Sequence, residues 1–240
     1  MKKNLLTSSL LLSTMIITSC VANNNQLQQA SRGGVSTPSN SPITQTSSTT
    51  HNRSAVQKSL AYMYDEERLA KEVYLAIYEK QPVNQLTKIA TKAEVRHIDA
   101  VKDLATRYGV ATPYQRAGQY QTAHIQSLYN ELYAKGIRSK RDALEVGCMV
   151  EVIDVEDLQK YTREAEQANA QDVVQTYNFL LKGTYNHYWA FDKGLKQLGV
   201  SNGCCSLGAR YCHPEYPQKQ KGGRGQGRGQ GRGNGGGSWR

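Results

Sequence analysis

Apolar side chains recur every three to four residues in four stretches of this chain, the spacing that turns one face of a helix toward a core. In the first stretch Leu60, Glu67, Ala70, Tyr74 and Ile77 share a stripe, and Pro82 closes it, because proline lacks the amide donor a continuing helix needs. Asn84 is placed to cap a second helix that carries Leu86, Ala90, Ala93, Glu94, His97, Val101 and Leu104 inward and ends at Gly109. The connection over residues 110–139 is longer than a hairpin needs and contains a short helix near residues 123–134, stopped by Gly136. Ser139 caps the third long helix, with Leu144, Cys148, Glu151, Val155 and Leu158 inward. Asn169 caps the fourth, with Val173, Tyr177, Leu180, Thr184, His187, Phe191, Leu195 and Leu198 inward and Gly199 at its end. Short, long and short connections suit two antiparallel hairpins joined by a crossover. The pattern therefore predicts an all-α fold over residues 59–200, a ferritin-like four-helix bundle with one extra short helix in the crossover.

The two ends follow different patterns. Lys2 and Lys3 precede an apolar run over residues 5–17, which leads into Ile17-Thr18-Ser19-Cys20. This is the layout of an export signal over residues 1–19, and its small pair before a cysteine resembles a bacterial lipobox. Cys20 is then the lipid attachment point, and acylation there would hold the protein to a membrane outside the cytoplasm through buried methylenes. Val21 is not the Asp that favours inner-membrane retention, which points to the outer membrane where a cell has one. Residues 20–58, rich in Ser, Thr, Asn and Gln, read as a disordered tether. Residues 201–240 combine a cysteine-containing segment with a low-complexity tail that repeats Gly-Arg-Gly-Gln.

Net charge of +10 suggests nucleic acid until it is divided along the chain. Residues 60–200 hold 18 Lys and Arg against 19 Asp and Glu, so the helical part is near neutral. The excess lies at the ends, with 5 basic residues before Leu60 and 7 after Val200, the latter against Glu215 alone. No specific nucleic-acid site is expected of the bundle. The tail could contact acidic polymers electrostatically, or serve as a soluble spacer.

The inward stripes carry chemistry as well as apolar bulk. Glu94 and His97 stand one turn apart on the second helix, Thr184 and His187 on the fourth, and Glu67 and Glu151 occupy the stripes of the other two, with Asp154 one turn beyond Glu151. Unpaired buried carboxylates cost several kcal/mol each, and a metal cation supplies the missing counter-charge. The alternative is that Arg68, Arg96 or a lysine pairs with them, or that they reach solvent. Four-helix bundles build metal sites from this set of residues, and oxygen-rich sites with one or two histidines suit iron or manganese, mononuclear or dinuclear.

These residues resemble known proteins. Glu67-Arg68-Leu69-Ala70 with Tyr74, and Glu94-x-x-His97, are similar to the first half of a rubrerythrin or ferritin metal centre. Residues 65–74, 139–158 and 183–191 together resemble the uncharacterised bacterial and archaeal group called domain of unknown function 2202. The resemblance implies Glu67 as terminal ligand of one ion, His97 completing it, Glu94 as a bridge, and Glu151 with His187 on the second ion. Asp154 would be a further ligand or would orient an imidazole. Thr184 departs from the rubrerythrin-like pattern, which has a second bridging carboxylate there. A site with fewer ligands could bind one ion, bind two weakly, or keep positions open for oxygen or peroxide.

Beyond Cys20, the cysteines are Cys148, Cys204, Cys205 and Cys212. Cys148 reads as a small core residue. Cys212 is expected to bond Cys204 or Cys205 in an exported protein, leaving one of that pair free; a soft-metal cluster including His213 is the alternative. Tyr74 and Tyr177 are candidates to hydrogen-bond ligand carboxylates. Two functions follow as expectations: an exported, lipid-anchored metal protein with redox chemistry toward oxygen or peroxide, or a non-enzymatic envelope module whose basic tail makes the functional contact.

Overall fold

A computed structural model describes residues 45–218. The export signal, Cys20, the first part of the tether and the Gly/Arg-rich tail lie outside the described residues. Six α-helices, α1 (Gln45–Tyr78), α2 (Asn84–Lys92), α3 (Glu94–Tyr108), α4 (Ala123–Gly136), α5 (Lys140–Gln167) and α6 (Gln171–Gln197), are followed by two 3₁₀ turns at Gly203–Leu207 and Ala209–Tyr211. The fold is all-α, and no strand occurs among the described residues.

Four long helices form the bundle, and side-chain pairs give their directions. Gln57 Nε2 donates to the Tyr108 carbonyl at 2.8 Å while His97 faces Glu67, so α1 and α3 are antiparallel. Tyr62 reaches Asp157 and Tyr74 reaches Glu151, making α1 and α5 antiparallel as well. Thr184 meets Asp154 and His187 meets Glu151, which sets α6 against α5 in the same sense. Helices α3 and α5 must then run parallel, and the long connection bearing α4 returns the chain between them. The expected pair of hairpins joined by a crossover is therefore what the chain forms.

Helix ends depart from expectation in physically informative ways. Helix α1 begins at Gln45, so the tether does not extend to residue 58. Val56 is already buried and Ser59 Oγ lies 2.9 Å from Tyr177 Oη, so tertiary contacts hold a stretch whose polar sequence shows little periodicity. The predicted second helix is two, α2 and α3, meeting at Ala93, whose carbonyl accepts from both the Arg96 and His97 amides. Val83, not Asn84, occupies the cap of α2, and Ala170, not Asn169, that of α6. Asn169 instead takes the left-handed conformation, φ +56°, in the turn between α5 and α6. Ser139 caps α5 as expected, accepting from the Asp142 amide at 3.0 Å. Helix α4 ends at Gly136 as expected, and a Cβ on this last residue would overlap the Ile77 side chain. Leu198 is 49 % exposed rather than inward, because α6 has ended by then.

The cysteines are all paired in the folded region. Cys148 is buried but not free: it is bonded to Cys204, and Cys205 is bonded to Cys212. The soft-metal alternative is excluded with these bonds, and His213 is engaged instead with Glu215 and the Arg210 carbonyl. Residues 201–218 fold back on the bundle, which brings Cys204 to Cys148. Asp192 accepts the Cys204 amide, the Tyr188 hydroxyl donates to the Tyr211 carbonyl, and Trp189 donates to the Tyr216 carbonyl. The folded unit thus exceeds residues 59–200 at both ends.

Two apolar clusters fill the bundle. One contains Leu60, Met63, Val101, Leu104, Leu158 and Tyr177; the other contains Tyr74, Ile77, Leu86, Leu144, Phe191 and Leu195. Along α1 and α6 the buried polar residues Glu67, Thr184 and His187 fall between members of the two clusters, and Glu94 and His97 of α3 and Glu151 and Asp154 of α5 are buried as well.

Candidate metal centre

Each helix delivers its polar side chain by ordinary helical spacing. Glu67 lies one turn before Ala70 and two before Tyr74 on the inward face of α1. Glu94 and His97 lie one turn apart in the first turn of α3, Glu151 projects from α5, and His187 projects from α6 one turn after Thr184.

Glu94 stands at the middle. Its Oε2 is 3.2 Å from His97 Nδ1 and its Oε1 is 3.1 Å from His187 Nδ1, so one carboxylate faces two imidazoles whose ring centres are 5.5 Å apart. A second carboxylate approaches the same nitrogen of each ring. Glu67 Oε2 lies 3.2 Å from His97 Nδ1, and Glu151 Oε2 lies 3.3 Å from His187 Nδ1. Two buried groups result, Glu67–Glu94–His97 and Glu94–Glu151–His187, each with ligand atoms within 4.8 Å of one another. Either could hold a metal ion, with Glu94 common to both.

The donor set fits a cation better than it fits its own hydrogen bonds. His187 Nδ1 lies close to two carboxylate oxygens without hydrogen-bond geometry to either, and Glu67 Oε1 has no partner among the described residues. Unsatisfied buried polar atoms are uncommon in native structures and call for an ion, a water or a catalytic role. Electrostatics agree. Burial pushes the Glu67 carboxyl up to about 7, against the opposing pull of His97. Burial alone would lower His187, but Glu151 and Glu94 outweigh it and raise the imidazole to about 10. His97 is raised likewise by Glu67 and Glu94. Glu94 is held well below the carboxylate range, since its two imidazoles more than offset burial. Protons thus occupy the places where a metal ion would supply the positive charge.

Asp154 is brought near but not into either group. Thr184 Oγ1 donates to Asp154 Oδ2 at 2.6 Å and shares its proton with the Leu180 carbonyl, while Asp154 Oδ1 has no partner among the described residues. The expectation that Asp154 orients an imidazole is not met, because the Thr184 hydroxyl takes that carboxylate. Yet the pair has a consequence for the missing bridge: a carboxylate from α5 reaches the place on α6 where Thr184 stands. Tyr74 does bond a candidate ligand, donating to Glu151 Oε1 at 2.6 Å. Tyr177 does not; it pairs with Ser59 in the neighbouring apolar cluster. Arg68 pairs with Asp65 and Glu72 and so neutralises none of the central carboxylates.

Two residues escaped the sequence argument. Glu66 is buried with neither carboxylate oxygen partnered among the described residues, and burial with Asp154 and Asp157 nearby raises it well above the carboxylate range. Its neighbour Glu67 already occupies the inward stripe, so periodicity placed Glu66 outside; only the packing of α5 against α1 covers it. Gly183 is the other. A Cβ there would lie 2.5 Å from His97 Nε2 and 2.8 Å from its Cε1, so the absence of a side chain makes room for the imidazole.

Fold and site define an all-helical bundle protein whose buried Glu and His groups could hold metal. Residues 56–209 match the family described as an uncharacterized protein domain, DUF2202, and the chain belongs to that family. It is 34 % identical over 145 residues to the uncharacterized protein MJ0754 of Methanocaldococcus jannaschii, covering 60 % of this chain and 76 % of that protein. The crystal structure of the hypothetical protein MJ0754 is similar to it with a TM-score of 0.56 and 32 % identity, covering 68 % of this chain and 87 % of that one.

Proposed function

We propose that this is an exported, lipid-anchored, ferritin-like protein that binds iron or manganese in the bundle core and performs redox chemistry with oxygen or peroxide. The observation that carries the metal reading is the position of Glu94, with one carboxylate oxygen toward Nδ1 of each of two imidazoles and a further carboxylate at that same nitrogen of each ring. Glu67 and His97 would hold one ion, Glu151 and His187 the other, with Glu94 between. Carboxylate and imidazole ligands in this proportion favour iron or manganese over softer metals. Such ions supply one-electron redox chemistry when bound. Tyr74 fixes the orientation of Glu151 through its hydroxyl, and the flanking apolar clusters keep bulk water from the ligand atoms.

Elemental analysis of the purified, reconstituted protein tests this directly. Roughly one to two iron or manganese ions per chain are expected, lost when Glu94→Ala and His97→Ala are combined, since a bridge and a terminal ligand go together. Wild-type protein without metal after reconstitution would refute it.

Export rests on residues 2–20, and two disulfides support an oxidising compartment. Cys20→Ser is expected to release the protein from the membrane fraction or to leave an unprocessed precursor. Unchanged fractionation would remove the lipid anchor, and with it the assignment to the envelope.

A further inference from the structure

Above the two imidazoles a cleft of about 540 Å³ opens between α2, α3 and α6. That is within the size range of small-molecule sites. His97 and His187 both turn Nδ1 inward to the carboxylates, and both contribute to the cleft's lining. Three cations, Lys88, Arg96 and Lys182, also line it, one from each helix, and no acidic side chain does. All three are exposed, and none forms an ion pair among the described residues. Between these cations the wall is apolar, with Ile89 buried and Phe179 left 52 % exposed. Phe179, one of only two phenylalanines in the chain, stands edge-on to His97 with ring centres 5.9 Å apart.

Three unpaired cations oppose the entry of a metal ion by this route and attract an anion. An apolar wall with an exposed aromatic selects a ligand that also has carbon surface to bury. We propose that this cleft binds a small amphipathic carboxylate, its head on Lys88, Arg96 and Lys182 and its apolar body against Ile89 and Phe179, toward the imidazoles. The inference rests on the metal reading only for what the ligand meets at the deep end. The head and body contacts belong to the cleft itself.

Calorimetric titration of the full-length mature protein with octanoate, octanol and acetate tests the assignment, with metal content measured on the same samples. Octanoate is expected to bind at one site per chain, at least about tenfold more tightly than either octanol or acetate, the equivalent of roughly 1.4 kcal/mol for head and for body. Arg96→Gln with Lys182→Gln should weaken octanoate by about tenfold, leave octanol unaffected and leave metal content unchanged, and the octanoate affinity of wild type should fall with salt. Phe179→Ala should narrow the gap between octanoate and acetate. These substitutions are at exposed positions, and circular dichroism will verify that the helices persist. Octanoate binding no tighter than octanol, or indifferent to the loss of Arg96 and Lys182, would overturn the proposal. Tight, charge-dependent octanoate binding by a protein that takes up no metal would uphold the cleft while refuting the metal centre beneath it.

Discussion

Between the imidazoles of His97 and His187 a single carboxylate, Glu94, accepts the charge of both. Without metal the facing carboxylates push both imidazoles up from their ordinary value, His187 to about 10, and burial pushes the Glu67 carboxyl up to about 7. A metal ion must displace these protons. Affinity is therefore expected to rise with pH, by up to roughly tenfold per pH unit for each proton displaced, and to fall as acid restores them. Calorimetry in two buffers of different ionisation enthalpy will count the protons released, and a count of zero would contradict the assignment of these ligands. Gly183→Ala is a second expectation at this scale. The added Cβ drives His97 from its place, so metal affinity should fall by about tenfold or more while helix content is kept, as outer-shell changes commonly do. Unaltered affinity would show that the ring can shift without loss. Glu67, Glu94, His97, Glu151 and His187 were legible in the sequence because a helix of regular pitch puts residues three or four apart on one face. The partnership of Thr184 with Asp154 was not, since it depends on the rotation of α6 against α5.

Helices reveal a similar division. The four long segments and the crossover helix were visible as periodic stripes, whereas the first turns of α1 were not, because Val56 is an isolated apolar residue in a polar run. Removing residues up to 58, where a sequence boundary would fall, deletes Val56 and the Gln57 bond to Tyr108. A chain starting at residue 59 is expected to be less stable than one starting at 45, by about 2 kcal/mol from one buried valine and one hydrogen bond. Equal denaturation midpoints would mean that the early turns are not part of the cooperative unit. The Cys148–Cys204 bond ties α5 to the segment after α6 across 56 residues. Loop-closure entropy assigns a bond of that span about 4 kcal/mol. Cys148→Ala with Cys204→Ala should cost on that order in urea unfolding, and reductant should then cost the variant less than it costs wild type. Cysteine spacing alone left Cys204 and Cys205 both open as the partner of Cys212 and gave Cys148 no partner, because the return of residues 201–218 onto the bundle is a tertiary event.

At the scale of the molecule, charge is segregated by region, with a near-neutral bundle between basic ends. Deleting residues 222–240 removes Arg224, Arg228, Arg232 and Arg240 and is expected to leave helix content and metal content unchanged; if the tail contacts acidic polymers, the deletion also abolishes a salt-sensitive association with them. Heparin-column retention at graded salt will measure this, and equal retention of both forms would make the tail a spacer. The sequence by itself determined the all-helical class, the connection lengths that impose the crossover, and the inward position of five candidate ligands. All of these are local, since each follows from residues within a few turns of one another. Only the tertiary structure decided that Glu94 lies between two imidazoles, that Asp154 turns to Thr184, that Glu66 is buried, and that Cys148 is bonded to Cys204. Each of these depends on how one helix is rotated against another, or on where a terminal segment comes to rest. A periodic stripe says which face turns inward, but it does not say which atoms of the opposing face it meets.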